Sequence, residues 1–193
     1  REPRRRQGSE LAAGAGGRVQ ADAAALLAGR ERPVDSERHL EDPAGELGID
    51  DLIDASRNLP FQPGTDTALN KGFSQSAFWL VGHFRAAPDA ANEKELRYLE
   101  VDYSLLDDIH YYVVVDGKVQ QHWLTGDTRP FATRPIDHSR FLFPLELRPG
   151  EEKTLLFRIQ STSSMRMPLS FWDPFKFYHT QRIHLLTDGM VSK

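Results

Sequence analysis

Between His39 and Trp172 apolar and polar residues alternate in short runs, the period-two pattern of strands with one face in a core and one in water. Phe141, Phe143, Leu145 and Leu147 alternate with Arg140, Leu142, Pro144 and Glu146; after Arg148-Pro149-Gly150-Glu151, Leu155, Phe157 and Ile159 alternate with Leu156, Arg158 and Gln160. Pro and Gly punctuate a turn between the two segments. Read as a hairpin with both apolar sets on one face, they place Phe143 beside Phe157, Leu142 beside Arg158, and Arg140 with Arg158 on one exposed face. A second hairpin is signalled by Val113-Val114-Val115-Asp116-Gly117-Lys118-Val119, where Asp-Gly supplies the positive-φ pair of a type I′ turn. An uninterrupted register from that turn sets Val114 opposite Val119, Tyr112 opposite Gln121, His110 opposite Trp123 and His122 opposite Tyr111. Both faces of this hairpin are then apolar: Tyr111, Val113, Val115 and Leu124 on one, Tyr112, Val114, Val119 and Trp123 on the other. Residues 77–85 are apolar on both faces, as in a central strand. Further strands are predicted over 96–103 and 165–172, and short helices over 49–56 and 175–186. Many short strands, few helices and frequent Gly/Pro turns predict an all-β, two-sheet sandwich. No fixed-period repeat points to a propeller or solenoid.

Composition narrows the classes. The chain has 193 residues, 24 basic and 28 acidic side chains, a formal charge of −4 and no cysteine. That length buries a core without disulfide or metal staples, and the acidic balance lacks the basic stripe of a nucleic-acid binder. No apolar run is long enough to span a bilayer. The 3 Trp, 5 Tyr and 11 Phe all lie between Phe61 and Tyr178. Residues 1–35, with Arg4-Arg5-Arg6 and Gly14-Ala15-Gly16-Gly17, bury too little to offset their ordering entropy and are expected to form a flexible arm. The sandwich domain is predicted over 36–186, and 187–193 as a tail.

Catalytic patterns are missing. Gly72-Phe73-Ser74-Gln75-Ser76 departs from a nucleophile elbow at its last residue, and Gly14-Ala15-Gly16 has no strand before it. The acidic neighbours Asp107-Asp108 and Glu151-Glu152 point to opposite strand faces and make no acid/base couple. With His122 opposite Tyr111, no histidine pair is expected in the hairpin, and His179 and His184 are poorly spaced for one helix face. Neither an enzyme nor a metal or other cofactor site is therefore expected. The most functional-looking stretch is the connection Thr125-Gly126-Asp127 through Arg134-Pro135 to His138, because strand-connecting loops carry binding residues. Pro135 stiffens the backbone around Arg134, so Arg134, His138 and Asp127 can converge on one pocket. An internal Arg–carbonyl network holding the loop competes with this reading. The residues singled out for ligand contact are Trp79, His83, Asp107, Asp127, Arg134, His138 and Arg158.

Taken in order, His39-Leu40-Glu41-Asp42-Pro43-Ala44-Gly45-Glu46-Leu47, Asn70-Lys71-Gly72-Phe73-Ser74, Ala77-Phe78-Trp79-Leu80, Leu99 to Asp107, Thr125-Gly126-Asp127, Arg134-Pro135, His138, Phe141 to Leu145, Arg158, Ser161 and Pro168 to Trp172 form a series. It resembles the type 2 extracellular domain of the seven-transmembrane receptors with diverse intracellular signalling modules. The resemblance implies a periplasmic jelly-roll sandwich similar to carbohydrate-binding modules, set before a seven-helix membrane region and a cytoplasmic histidine kinase or diguanylate cyclase. It also implies two-component signalling of the kind that controls biofilm. Many members carry Arg after Trp79-Leu80 where this chain has Val81, so a binding role for that Arg does not carry over.

Two functions follow as expectations. One is a ligand-sensing domain for a carbohydrate or small metabolite, resting on Arg134, His138, Arg158 and the aromatic residues. The other is an interaction module that forms a homodimer or docks on a second sensor protein, resting on the apolar faces of the hairpin over 109–124.

Overall fold

The computed structural model describes residues 30–31, 38–54, 57–64, 69–85 and 94–188. Its strands are β1 (Arg30–Glu31), β2 (Arg38–Asp42), β3 (Gln62–Pro63), β4 (Leu69–Phe73), β5 (Ala77–Arg85), β6 (Glu95–Val101), β7 (Asp108–Val115), β8 (Lys118–Thr125), β9 (Phe141–Leu147), β10 (Glu152–Gln160), β11 (Ser164–Met167) and β12 (Leu169–Trp172). The helices are α1 (Ile49–Ile53) and α2 (Pro174–Asp188). One sheet has the order β1-β12-β6-β9, the other β3-β2-β5-β10-β7-β8, and β11 pairs with β4 in a small third sheet. The chain crosses between the two large sheets repeatedly, in the manner of a jelly roll, and all pairs are antiparallel. The expected all-β sandwich is the fold.

Its core lies between the sheets and is rich in rings: Phe78, Phe84, Tyr111, Phe141, Phe143, Phe157 and Phe171, with Leu99, Val101, Ile109 and Ile159. β5 is central, as its two apolar faces predict, with β2 and β10 on either side. Of the expected arm, Arg30–Glu31 pairs with Phe171 and Trp172 at a sheet edge; the rest of 1–35 lies outside the described residues. α2 runs to Asp188, two residues past its predicted end, and the remainder of the tail is likewise outside them.

Three sequence expectations are corrected. β9 and β10 do not form a hairpin: β9 pairs with β6 and β10 with β5 and β7. The turn at 148–151, closed by Glu151 N–H to the Arg148 carbonyl at 2.9 Å, carries the chain from one sheet to the other. Phe143 and Phe157 still meet, edge to face at 5.6 Å, but across the sandwich. Inward-facing parity is the same for strands of one sheet and of opposing sheets, so alternation could not tell them apart. Consequently Arg140 and Arg158 lie on opposite outer faces.

Second, the Asp116-Gly117 turn forms as predicted, with φ of 50° and 69°, but a β-bulge follows it. Val114 faces Val119, whereas Val113 faces Gln121, so Gln120 is the extra residue and every later partner shifts by one. Tyr112 faces His122, His110 faces Leu124, and Trp123 turns inward to stack on Tyr111 at 5.5 Å. Third, the strand expected over 165–172 is two, split at Pro168: β11 joins β4 and β12 joins β6.

Candidate functional site

Register across the six-stranded sheet fixes which side chains share its outer face. One row reads Leu40, Trp79, Arg158, His110, Leu124; the next reads Arg38, Val81, Leu156, Tyr112, His122; a third reads His83, Thr154, Val114, Val119. The centre of this face is apolar and is covered by the chain itself. Leu47, Ile49, Leu52, Ile53, Leu59 and Phe61, from the segment over 43–64, pack on Leu40, Trp79, Val81, Tyr112, Val114 and Leu156. Tyr112 and Val114, on the second apolar face of the hairpin, thus have their cover within the chain, whereas Val119 stays exposed. Asp42 anchors the segment by accepting the N–H groups of Gly45, Glu46 and Leu47 at 2.9, 3.3 and 3.0 Å. From the sheet side, Arg158 Nη2 donates to the Gly45 carbonyl at 3.2 Å.

Past this cover the face turns polar. Asp108, His110 and Tyr112 alternate along β7, and the bulge in β8 brings His122 to the same side. Asp108 Oδ1 accepts from Arg129 Nε at 2.6 Å, and its Oδ2 lies 3.1 Å from His110 Nε2 and 4.0 Å from Arg158 Nη1. A carboxylate only accepts, so His110 Nε2 carries the hydrogen and Nδ1 presents a lone pair. The Tyr112 hydroxyl lies 3.2 Å from that Nδ1, and His122 Nε2 lies 3.3 Å from it. The His122 ring stacks on Tyr112 with centroids 4.2 Å apart and 3° between planes. Burial lowers the pKa of His110 against the opposing pull of Asp108, with Arg158 and His122 adding to the depression; burial lowers that of His122 as well. Near neutral pH both imidazoles are therefore neutral beside a carboxylate and two guanidinium groups. Among the described residues no group of three or more His, Cys, Asp or Glu is placed to hold a metal ion.

The seven residues singled out from sequence fall in different places. Trp79 is fully buried beneath the covering segment, and Arg158 is its register partner on β10. His83 is exposed on the same face, 3.1 Å from Thr154 Oγ1 and 3.3 Å from Arg38 Nη2. Asp107 caps a loop, its Oδ2 accepting both the N–H and the hydroxyl of Thr162 at 2.7 Å. Asp127 is exposed, and its N–H donates to the Leu106 carbonyl at 2.7 Å. Arg134 turns its Nη1 onto the carbonyls of His138 and Ser139, at 2.8 and 2.5 Å, with its guanidinium over the rings of Phe131 and Phe141. His138 accepts the Arg140 N–H at 3.0 Å and sets its ring against Phe177 of α2, beside the four-stranded sheet. Only Trp79, His83 and Arg158 share a face. Arg134 makes the internal Arg–carbonyl network that competed with a pocket.

Asp108, His110, Tyr112, His122 and Arg129 were not singled out. The period-two series Asp108, His110, Tyr112 carried the signal on β7. His122 was hidden by the bulge, and Arg129 reaches the cluster from the loop after β8.

The model of the 7TMR-DISM extracellular 2 family matches residues 36–173. No curated protein matches the chain. Among solved structures, a GH31 alpha-xylosidase from Xanthomonas citri is similar at 12% identity and a TM-score of 0.34, over 72% of this chain and 14% of that one. The chain therefore belongs to the 7TMR-DISM extracellular 2 family and is the extracytoplasmic, periplasmic sensor domain of a membrane receptor. No helix among the described residues is long and apolar enough to cross a membrane.

Proposed function

We propose that this 7TMR-DISM extracellular 2 domain is a non-catalytic sensor that binds a small hydroxylated or carboxylated metabolite, a monosaccharide or organic acid, and thereby regulates a cytoplasmic output. The observation that carries the reading is the polar end of the outer face. There Asp108, Arg129, His110 and His122 form one hydrogen-bonded cluster beside a stacked ring pair, with the Arg158 guanidinium 4.0 Å from Asp108 and tying down the neighbouring segment. Guanidinium forks and a carboxylate suit hydroxyl and carboxylate groups, and binding that shifts Arg158 is transmitted to the segment over 43–64. None of the three Trp residues is exposed, so a flat indole platform for sugars is not what supports the reading. A histidine kinase or diguanylate cyclase output, and control of biofilm, are carried into the proposal by the family.

Thermal melting of the domain with monosaccharides, uronic acids and dicarboxylates, each in chelator, tests this. A ligand for the native state raises the melting temperature, and Arg129→Gln abolishes that rise. No rise with any class, or a rise untouched by Arg129→Gln, overturns the site. Exposed Phe73 on β4 and Phe175 and Tyr178 on α2 favour a second reading, an interaction module that self-associates or docks on another sensor. Concentration-dependent sedimentation checks the self-association.

A further inference from the structure

We propose that His110 and His122 form a binding site for a divalent transition-metal ion of the zinc or copper class, with the Tyr112 hydroxyl at its rim. The site lies on the face proposed above for metabolites but does not depend on that reading; it stands on the geometry of the two imidazoles and of the Asp108 and Tyr112 groups that touch them.

Five observations converge. His110 Nδ1 and His122 Nε2 are 3.3 Å apart, which is the edge of a coordination tetrahedron whose metal–nitrogen bonds are about 2.0–2.1 Å long. The two rings are inclined by only 13°. Asp108 holds the other nitrogen of His110 at 3.1 Å and so fixes the tautomer with its lone pair toward His122, the carboxylate–imidazole support found behind metal-bound histidines. His122 has its ring clamped on Tyr112 yet is exposed, which fixes the ligand's orientation while leaving the ion open to solvent. The Tyr112 hydroxyl, 3.2 Å from His110 Nδ1, adds an oxygen on the same side. Two imidazoles and a phenol leave coordination positions open, so the ion is held more weakly than in a closed four-ligand site and can take a further oxygen donor. The bulge at Gln120 creates the arrangement: in an unbroken register His122 would face Tyr111, on the core side.

Calorimetric titration of the metabolite-free domain with Zn²⁺ and with Cu²⁺ near neutral pH tests the proposal. One ion per chain is expected, Cu²⁺ binding more tightly than Zn²⁺. His122→Ala and His122→Gln are each expected to weaken binding at least about tenfold, and Asp108→Asn by about 10–100-fold. His179→Ala, on α2, leaves it unchanged. The electron-paramagnetic spectrum of the Cu²⁺ form shows two coordinating nitrogens in the native chain and one in His122→Ala. Absence of binding with a Kd below about 1 mM overturns the proposal. So does binding that both His122 variants retain. The metabolite screen runs in chelator and the metal titration without metabolite, so either can fail alone.

Discussion

Arg140 donates a 2.6 Å hydrogen bond to Glu100, whose carboxylate is completely buried on the outer side of the four-stranded sheet. The Trp172 indole N–H satisfies the other oxygen at 2.7 Å, and Asp102 lies 3.3 Å from Arg140 Nε. Removing the cation strands a buried charge. Arg140→Ala is expected to cost about 2–4 kcal/mol, somewhat below a fully buried pair because Arg140 is partly exposed. Urea unfolding at neutral pH reads it, and Glu100→Gln in the same background is expected to recover part of the loss.

Gly126 has a φ of 153°, and a Cβ there would stand 2.0 Å from the Asp107 carbonyl oxygen. The same backbone is tied by Asp127 N–H to the Leu106 carbonyl and by the Thr128 hydroxyl to the Asp107 carbonyl at 2.8 Å. Gly126→Ala must push two chain segments apart. A loss of more than about 3 kcal/mol is expected by denaturant melting; a loss within the noise of a surface substitution would contradict this packing.

Arg134 is expected to be a structural residue. Arg134→Ala gives up two hydrogen bonds to carbonyls and its position over two aromatic rings. The expected cost is about 1.5–3 kcal/mol, with metabolite binding retained. A variant that melts like the native chain but no longer binds would return Arg134 to the site.

How much of this was legible depends on what each sequence signal encodes. Alternation records which residues face inward, and it identified the inner faces of β9 and β10 and the central place of β5. It does not record which sheet a strand joins, which is why 148–151 read as a hairpin turn. The Asp-Gly pair announced its own turn, but nothing in Val119-Gln120-Gln121 announces a bulge, and that one residue moves Trp123 into the core and His122 out of it. Asp42, Gly126 and Arg134 all fall within the residue series that carries the family resemblance, but only for Arg134 does the sequence set an internal loop network against a ligand role. Their constraint comes from turn and loop hydrogen bonds, whereas the polar cluster is assembled from three separate segments.

Stability is expected to fall with acid in two stages. Burial depresses the pKa of His39, His83, His110 and His122 below the ordinary 6.5, and that of His138 in the same way, with the nearby Arg140 cation second. Between their folded and unfolded values the unfolded chain binds more protons, so these contributions are present above about pH 6.5 and are lost as pH falls through the folded pKa values. Hydrogen bonds from Thr162 hold the Asp107 carboxyl below its usual 3.8. Its contribution is present above that value and is lost as pH falls through the folded pKa. Chemical denaturation from pH 8 down to about 3 should show both stages, and Asp107→Asn should remove the lower one.

The most direct test of the sensing face is a set of amide correlation spectra of the isotope-labelled domain, titrated with monosaccharides, uronic acids and dicarboxylates in chelator. Shifts centred on Asp108, His110, His122, Arg129 and Arg158, and spreading to Gly45, are the expected result. Shifts centred on Arg134 and His138, or no shifts with any class, would contradict it.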